Sequence, residues 1–473
     1  MDEAFFVRGT FTVKVFESKP INTYIKYFDP SYPKKKKRKK EKKKIMASPT
    51  DPSFTIAIIG AGIAGLALAI GLRKQNVSYK IYEAALQFDA IGAGIGMGPN
   101  ALRAMELMDA HFAKMYDKIK VGNACHDRLH EQFEILSVAQ GFGAVDGWRG
   151  GSVSHPNFER SSAHRKALLE VMSTLIPEGT VEFGKRVVHV EQVEGKKQVY
   201  LTFSNGDALA VDAVLGCDGI KGITRGVVLE RGYPEEIVAR YCNTYVYRCI
   251  VPMQEAKRIL GSYAENAKWY MGEGRGCVIY PISKGEEVNV VVFIQDERSW
   301  GREQTAIQVS RDEMLSDFDG FDQRLIELLD DNTKPVRWPL FHHPYTSTYY
   351  RGHVCLLGDS AHASSPSQAA GAGLGLEDAL VLSRLLGLVE KPDQLEIAFE
   401  VYNSIRQPRA QAVVQESQEV LLAYFLDHPE FGHDIQKLTD YANRRLPLIW
   451  FHDLEADVKT AEDRFRELTG EEQ

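Results

Sequence analysis

The stretch "TIAIIGAGIAG", Thr55–Gly65, sets the reading of the chain. Thr55–Ile59 is an apolar run of strand length that ends directly in Gly60, and "LALAIGLRKQN" (Leu66–Asn76) then carries apolar residues at helical spacing. "YKIYEA" (Tyr79–Ala84) follows as a second short strand, ending at Glu83. Strand, glycine turn, helix and strand make a βαβ unit. Within its GxGxxG turn Gly60 permits the tight bend, Gly62 lets the backbone approach a pyrophosphate, and Gly65 lets helix and strand come close. The helix N-terminus then offers unpaired N–H groups to the anion. Glu83 ends the second strand where a carboxylate can accept from ribose hydroxyls, and its charge would repel a 2′-phosphate. The unit is expected to hold a dinucleotide, and by itself it does not separate FAD from NAD.

Working outward, composition bounds the rest. A chain of 473 residues is too long for one simple core, so at least two domains are expected. The net charge of −7 hides a split between residues 1–45, at +9, and the remainder, at −16. Most of the positive charge lies in "PKKKKRKKEKKK" (Pro33–Lys44), which has the composition of a nuclear-localisation or polyanion-binding tract and of a solvated tail alike. Met46 opens "MASPTDPSFTIAIIG" and would serve as a chain start, so the leader is set aside from fold reasoning. An acidic body argues against nucleic acid as the main partner. No apolar run is long enough for a membrane span, and the six scattered cysteines lack metal spacing and read as buried free thiols. A cytoplasmic location is expected, with the nucleus as the alternative if the leader acts as an address.

Two further glycine clusters stand at strand ends. In "AVDAVLGCDGIKGITR" (Ala210–Arg225), Ala210–Leu215 is expected to be a strand and Cys217-Asp218-Gly219 its exit turn. In "LLGDSAHASSPSQAAGAGLGLEDA" (Leu356–Ala379), the apolar run Val354–Leu357 leads into Gly358-Asp359, and a row of small residues precedes "GAG" at a helix start.

These three clusters, in this order, resemble those of the single-component flavoprotein aromatic hydroxylases, whose fold is that of para-hydroxybenzoate hydroxylase. The resemblance spans roughly residues 54–425 and pairs the GxGxxG turn with a DG and a GD motif. "YRCIVPMQEA", "HHPYTSTYYRGHVCLLGDSAHASSP" and "WFHDLEADVKTA" are similar to the fungal salicylate hydroxylase-like subgroup, which includes hydroxylases of polyketide phenols. It implies an α/β fold: a Rossmann-like FAD-binding domain, an inserted, mostly antiparallel substrate sheet, and C-terminal helices. The expected segments are a leader at 1–50, FAD-binding parts at 51–226 and 339–425, the sheet at 227–338, and a helical end at 426–473.

It also implies tightly bound FAD, with NADH or NADPH as transient reductant, and transfer of a hydroxyl from a flavin C4a-hydroperoxide to a phenol. O2 and a small phenol are the other partners; no metal is expected, and oligomeric state is left open. By the same resemblance Asp359 bonds the ribityl or ribose part of FAD and Pro366 lies near the flavin face. Gly371, Ala372 and Gly373 offer backbone N–H groups to the flavin, and Arg103 and Arg165 approach FAD, the second also being linked to the nicotinamide. Asp218 serves both cofactors, and Arg225 closes its motif. Two departures stand out: Gly222 replaces the usual serine, and "PSQAAGAG" puts Ser367 and Ala369 in place of a histidine and a glycine.

In the middle segment, "GCVIYPI" and "EVNVVVFIQ" alternate like antiparallel strands, and Gly272–Gly276 reads as a hairpin turn. Arg248 is expected to clamp a substrate carboxylate or phenolate and Tyr280 to bond the phenol oxygen. His342, His343 and Tyr345 are further candidates for lining the same box. The competing readings are surface pairing of Arg248 and plain burial of Tyr280. At the level of the whole chain they are an NAD-dependent dehydrogenase and a non-catalytic flavin-binding protein.

Overall fold

In the computed structural model the opening motif forms as read: strand Ile56–Ile59, helix Ile63–Lys74 and strand Tyr79–Tyr82, with the two strands parallel. The structure describes residues 54–470, apart from 89–93, 145–146, 149, 193–196, 299, 301–305 and 331–334. The basic leader lies outside the described residues.

A six-stranded sheet has the order Tyr350–Arg351, Val354–Leu356, Ala213–Gly216, Ile56–Ile59, Tyr79–Tyr82, Val181–Glu182, and is parallel apart from the first edge strand. Three glycine-ended strands are therefore adjacent. Their register aligns Ile59 with Gly216 and Gly216 with Leu356, so the GxGxxG, DG and GD turns leave one edge of the sheet side by side. Ligands of open parallel sheets bind beyond such carboxyl ends. The expected strand Ala210–Leu215 is in fact two: Ala208–Val211 belongs to a separate three-stranded antiparallel sheet, and Ala213–Gly216 to the parallel one. Asp212 marks the break, its carboxylate accepting from the backbone N–H of Thr55 at 2.6 Å.

Small residues let the helices close on this sheet. A side chain at Gly71 would meet Ser383 Oγ at 2.3 Å, because helix Ile63–Lys74 lies directly against helix Gly371–Leu386. At the C-terminal end come helices Leu395–Tyr424, Ile435–Trp450 and Leu454–Thr469, as expected.

The eight-stranded sheet has the order Ile307–Gln308, Val336–His342, Arg240–Pro252, Glu287–Gln295, Arg275–Ile282, Lys268–Gly272, Glu131–Ser137, Gly151–Ser154. Its pairings are antiparallel except that of Lys268–Gly272 with Glu131–Ser137. Two strands thus come from before residue 227 and one runs past 338, because edge pairing completes the sheet irrespective of chain order. Gly272 and Arg275 pair across a tight turn, which makes the Gly272–Gly276 stretch a hairpin.

Alternation along these strands assigns the two faces. Tyr247, Cys277, Ile279, Val288, Val290 and Val292 pack under helices Met253–Leu260, Arg311–Ser316 and Gln323–Asp330 in a second core. Their alternates Arg248, Val278, Tyr280, Asn289, Val291 and Phe293 face the parallel-sheet side. Among the described residues no helix is long and apolar enough to cross a membrane and no disulfide joins the six cysteines, of which Cys125 is exposed and Cys249 half-buried rather than buried.

Candidate active site

Between the glycine turns and the eight-stranded sheet lies a cavity of about 380 Å³. One wall is backbone: Gly62, Gly219, Asp359, Pro366, Gly371 and Ala372. The facing wall is apolar, built from Phe133, Trp269, Val278, Val291 and Phe293, with Arg160, Arg165, Arg248, Tyr280 and Asn289 as its polar groups. Such a mostly apolar enclosure with few polar points suits a planar aromatic ligand.

The glycines divide by role. A Cβ on Gly60 would fall 2.3 Å from the Cys217 carbonyl oxygen, and one on Gly65 2.1 Å from the Gly60 carbonyl oxygen, so both hold the turns together. Gly62 would meet nothing within 4 Å and opens on the cavity. Gly371 begins helix Gly371–Leu386, whose first-turn N–H groups have no intrahelical acceptor. Gly373 instead faces Asn100, whose Nδ2 would lie 2.9 Å from an added Cβ. Ala369 adopts φ +52°, a left-handed conformation, so the departure at this position costs about 1 kcal/mol of backbone preference rather than space for a methyl.

The acidic candidates are placed differently. Asp359 exposes its carboxylate at the cavity, and among the described residues no protein group donates to it. Glu83 accepts from the backbone N–H of Ala61 at 2.7 Å and of Ala85 at 2.8 Å, bracing the first turn and leaving further acceptor capacity. Asp218 does not line the cavity. Its carboxylate turns back to accept from the Thr224 N–H at 3.0 Å and the Thr224 hydroxyl, and burial raises its pKa against those bonds. Gly222 makes this possible, since a Cβ there would sit 2.1 Å from the Asp218 carboxyl carbon. Gly222→Ser is therefore expected to drive Asp218 off Thr224. The lost cap lowers stability by about 1 kcal/mol, read as a fall in melting temperature.

Arg165 starts helix Arg165–Thr174 at the cavity rim. Arg103 is not brought to the cavity; it is solvent-facing and ion-paired with Glu106 and Glu455. His342 and His343 are buried away from it, burial holding them neutral down to about 4 and about 3, and Tyr345 is exposed. Arg225 is buried, and its guanidinium donates to the carbonyls of Ser360 and Ala361 at 3.0 and 3.1 Å, pinning the short helix that follows Gly358. Ser367 donates to the Ser417 carbonyl at 2.6 Å, tying the Pro366 turn to helix Leu395–Tyr424.

Arg248 and Tyr280 share the cavity face. Arg248 keeps accessible surface although burial lowers its pKa, so that surface is cavity wall. Among the described residues it has no acidic partner and Tyr280 Oη no hydrogen-bond partner. Burial raises the Tyr280 pKa, against the pull of Arg160 and Arg248.

Sequence reasoning did not single out Arg160 or Asn289. The first sits in an unpatterned loop; the second is the lone polar residue in "VNVVVF", and that interruption was its signal. Nor did it single out the buried Arg406, which bonds Glu377 at 2.6 Å and Asp378 at 3.0 Å behind the GD turn. Asp378 in turn accepts from the Gly358 N–H at 3.0 Å and binds His362 at 2.5 Å.

This arrangement, three adjacent glycine turns facing the apolar face of a second sheet, is that of a flavin-dependent oxygenase, and comparison with known proteins places the chain among them. Residues 53–417 match the family described as FAD binding domain, and the chain belongs to that family. It is 40% identical over 431 residues to an FAD-dependent monooxygenase of Gibberella moniliformis, covering 87% of this chain and 97% of that protein. It is 33% identical over 420 residues to 6-methylsalicylate 1-monooxygenase of Aspergillus terreus, covering 88% and 93%. A solved salicylate hydroxylase substrate complex superposes with a TM-score of 0.75 at 28% identity, covering 87% of this chain and 98% of that one. The chain is an FAD-dependent monooxygenase of the salicylate hydroxylase-like type.

Proposed function

We propose that the chain hydroxylates a carboxylated phenol of the salicylate type, with Arg248 holding the carboxylate and Tyr280 the phenol oxygen. The observation that carries this reading is the Arg248 guanidinium, set in an apolar wall with no acidic partner among the described residues and beside the Tyr280 hydroxyl. A guanidinium that faces the cavity without a counterion is open to a ligand, and a bidentate carboxylate is the partner its geometry suits.

The residues present fit FAD. Asp359 offers a carboxylate free of protein donors, Gly62 offers open backbone, and the N-terminus of helix Gly371–Leu386 points a positive end at the cavity. Gly60, Gly62, Gly65 and Glu83 would hold its nucleotide half, and Asp359, Pro366, Gly371 and Ala372 its ribityl and ring portions. Arg165 stands at the rim, where a nicotinamide reductant would approach. When bound, FAD supplies the electron transfer from NAD(P)H and the activation of O2. The apolar wall excludes water, Arg248 fixes the ring by its carboxylate, and the Tyr280 oxygen accepts from the phenol hydroxyl, which shifts electron density into the ring and raises the nucleophilicity of the ring carbon. In the balance for salicylate, the carboxylate anion, NAD(P)H, O2 and two protons give catechol, CO2, NAD(P)⁺ and water. The relative named for 6-methylsalicylate supports, as a second reading, a ring with further substituents, as in polyketide phenols.

The test is NAD(P)H oxidation with oxygen uptake and product mass, using salicylate beside non-carboxylated phenols. Arg248→Ala is expected to lower kcat/KM for salicylate roughly 10- to 150-fold, the equivalent of losing about 1.5–3 kcal/mol from a charged hydrogen bond, with FAD content unchanged. Parallel loss of FAD and activity would make Arg248 structural.

A further inference from the structure

We propose that Arg160 and Asn289 form a third recognition point in the cavity, and that the substrate is accordingly an aromatic acid carrying a further oxygen acceptor besides its carboxylate and phenol. This rests on the salicylate-type reading and narrows it.

The Arg160 guanidinium lies over the Tyr280 ring, 4.8 Å from its centre. Its Nη1 donates to the Gln132 carbonyl at 2.5 Å, while its Nε is buried without a partner among the described residues. No acidic side chain pairs with it among the described residues, and burial lowers its pKa to about 10.

Asn289 stands opposite Tyr280 in the strand register and so on the same face. Its Oδ1 accepts from the Gly94 N–H at 2.7 Å, which fixes the amide orientation and leaves Nδ2 as a buried donor with no partner. The strand Gly94–Gly96 holds both side chains in place: a Cβ on Gly94 would lie 2.8 Å from Asn289 and from Tyr280 Cε2.

An orphaned buried donor is destabilising, and an apolar ring substituent leaves it orphaned where an oxygen acceptor satisfies it. The atoms left without partners, Arg160 Nε and Asn289 Nδ2, are both donors, so an ammonium does not satisfy them. Salicylate has two oxygen-bearing groups, and Arg248 with the Tyr280 hydroxyl uses both. Arg160 and Asn289 are left for a third, a second carboxylate or a ring carbonyl.

The experiment measures binding by calorimetry on FAD-loaded enzyme, and turnover separately. The probes are 2-hydroxyterephthalate and 4-hydroxyisophthalate against the matched methylsalicylates. At least one dicarboxylate is expected to bind tenfold or more tightly than its methyl counterpart, Arg160→Met to erase that difference, and Arg160→Lys to restore part of it. Equal affinities within each pair, or an Arg160→Met effect that is the same for all ligands, would overturn the subsite. So would a lower FAD content or a shifted flavin potential in that variant, which would assign Arg160 to the cofactor. Tenfold discrimination in binding without hydroxylated product would sink the reaction reading and leave the subsite standing.

Discussion

Gly60→Ala is expected to yield protein that retains less than a tenth of the FAD held by the parent, with a lowered melting temperature. Two penalties coincide at this position. The residue has φ +103°, outside the range that L side chains readily adopt, and the new methyl would stand 2.3 Å from the Cys217 carbonyl oxygen. That oxygen is backbone, so relief requires moving the DG turn away from the GxGxxG turn. Gly62→Ala separates fold from cofactor. Its Cβ meets no protein atom within 4 Å, so the melting temperature of FAD-free protein should be unchanged while FAD binds more weakly. The ratio of flavin to protein absorbance, with thermal unfolding of both variants, gives the answer. Normal FAD content in Gly60→Ala would mean that the two turns do not meet as described.

Arg406→Met is expected to cost about 3–5 kcal/mol, because it leaves Glu377 and Asp378 as buried carboxylates short of a counter-charge. At this chain length that corresponds to a fall in melting temperature of about 3–6 °C. The effect should reach the cofactor, since Asp378 also accepts the Gly358 N–H and so sets the position of the turn that carries Asp359. The network has a pH signature. Burial alone would raise the Asp378 carboxyl, but His362 and Arg406 hold it down to about 2, below the roughly 4 of an unfolded aspartate. A carboxyl depressed in the folded state contributes stability that is complete above about pH 4 and is lost as pH falls toward about 2. Acid unfolding followed by fluorescence should therefore move to higher pH in Arg406→Met. An unshifted acid limb would remove this network from the account.

Much of the dinucleotide half was legible in the chain because its signals are local. A strand that ends in glycine, a run of small residues and a helix with apolar spacing are each readable within about 15 residues, and the structure places them as read. Asp359 and Gly371 fall on the cavity for the same reason, being fixed by their own turn and helix start. The run "EVNVVVFIQ" was legible as an antiparallel strand. It did not say which face was the cavity, because both sets of side chains are apolar apart from Asn289.

Other assignments depended on partners far away in the chain. Arg103 and Arg160 are both arginines without a local pattern; one ends in solvent against Glu455 and the other over Tyr280, more than 100 residues on. Asp218, expected to serve the cofactors, has its carboxylate turned to Thr224 in its own loop, an orientation that the missing side chain at Gly222 allows. Three turns and their small residues were thus written into the primary structure, since backbone conformation answers to near neighbours. Which charged groups stand unpaired in the cavity was settled by folding, because burial and pairing of a charge depend on segments that meet only when the two sheets close on each other.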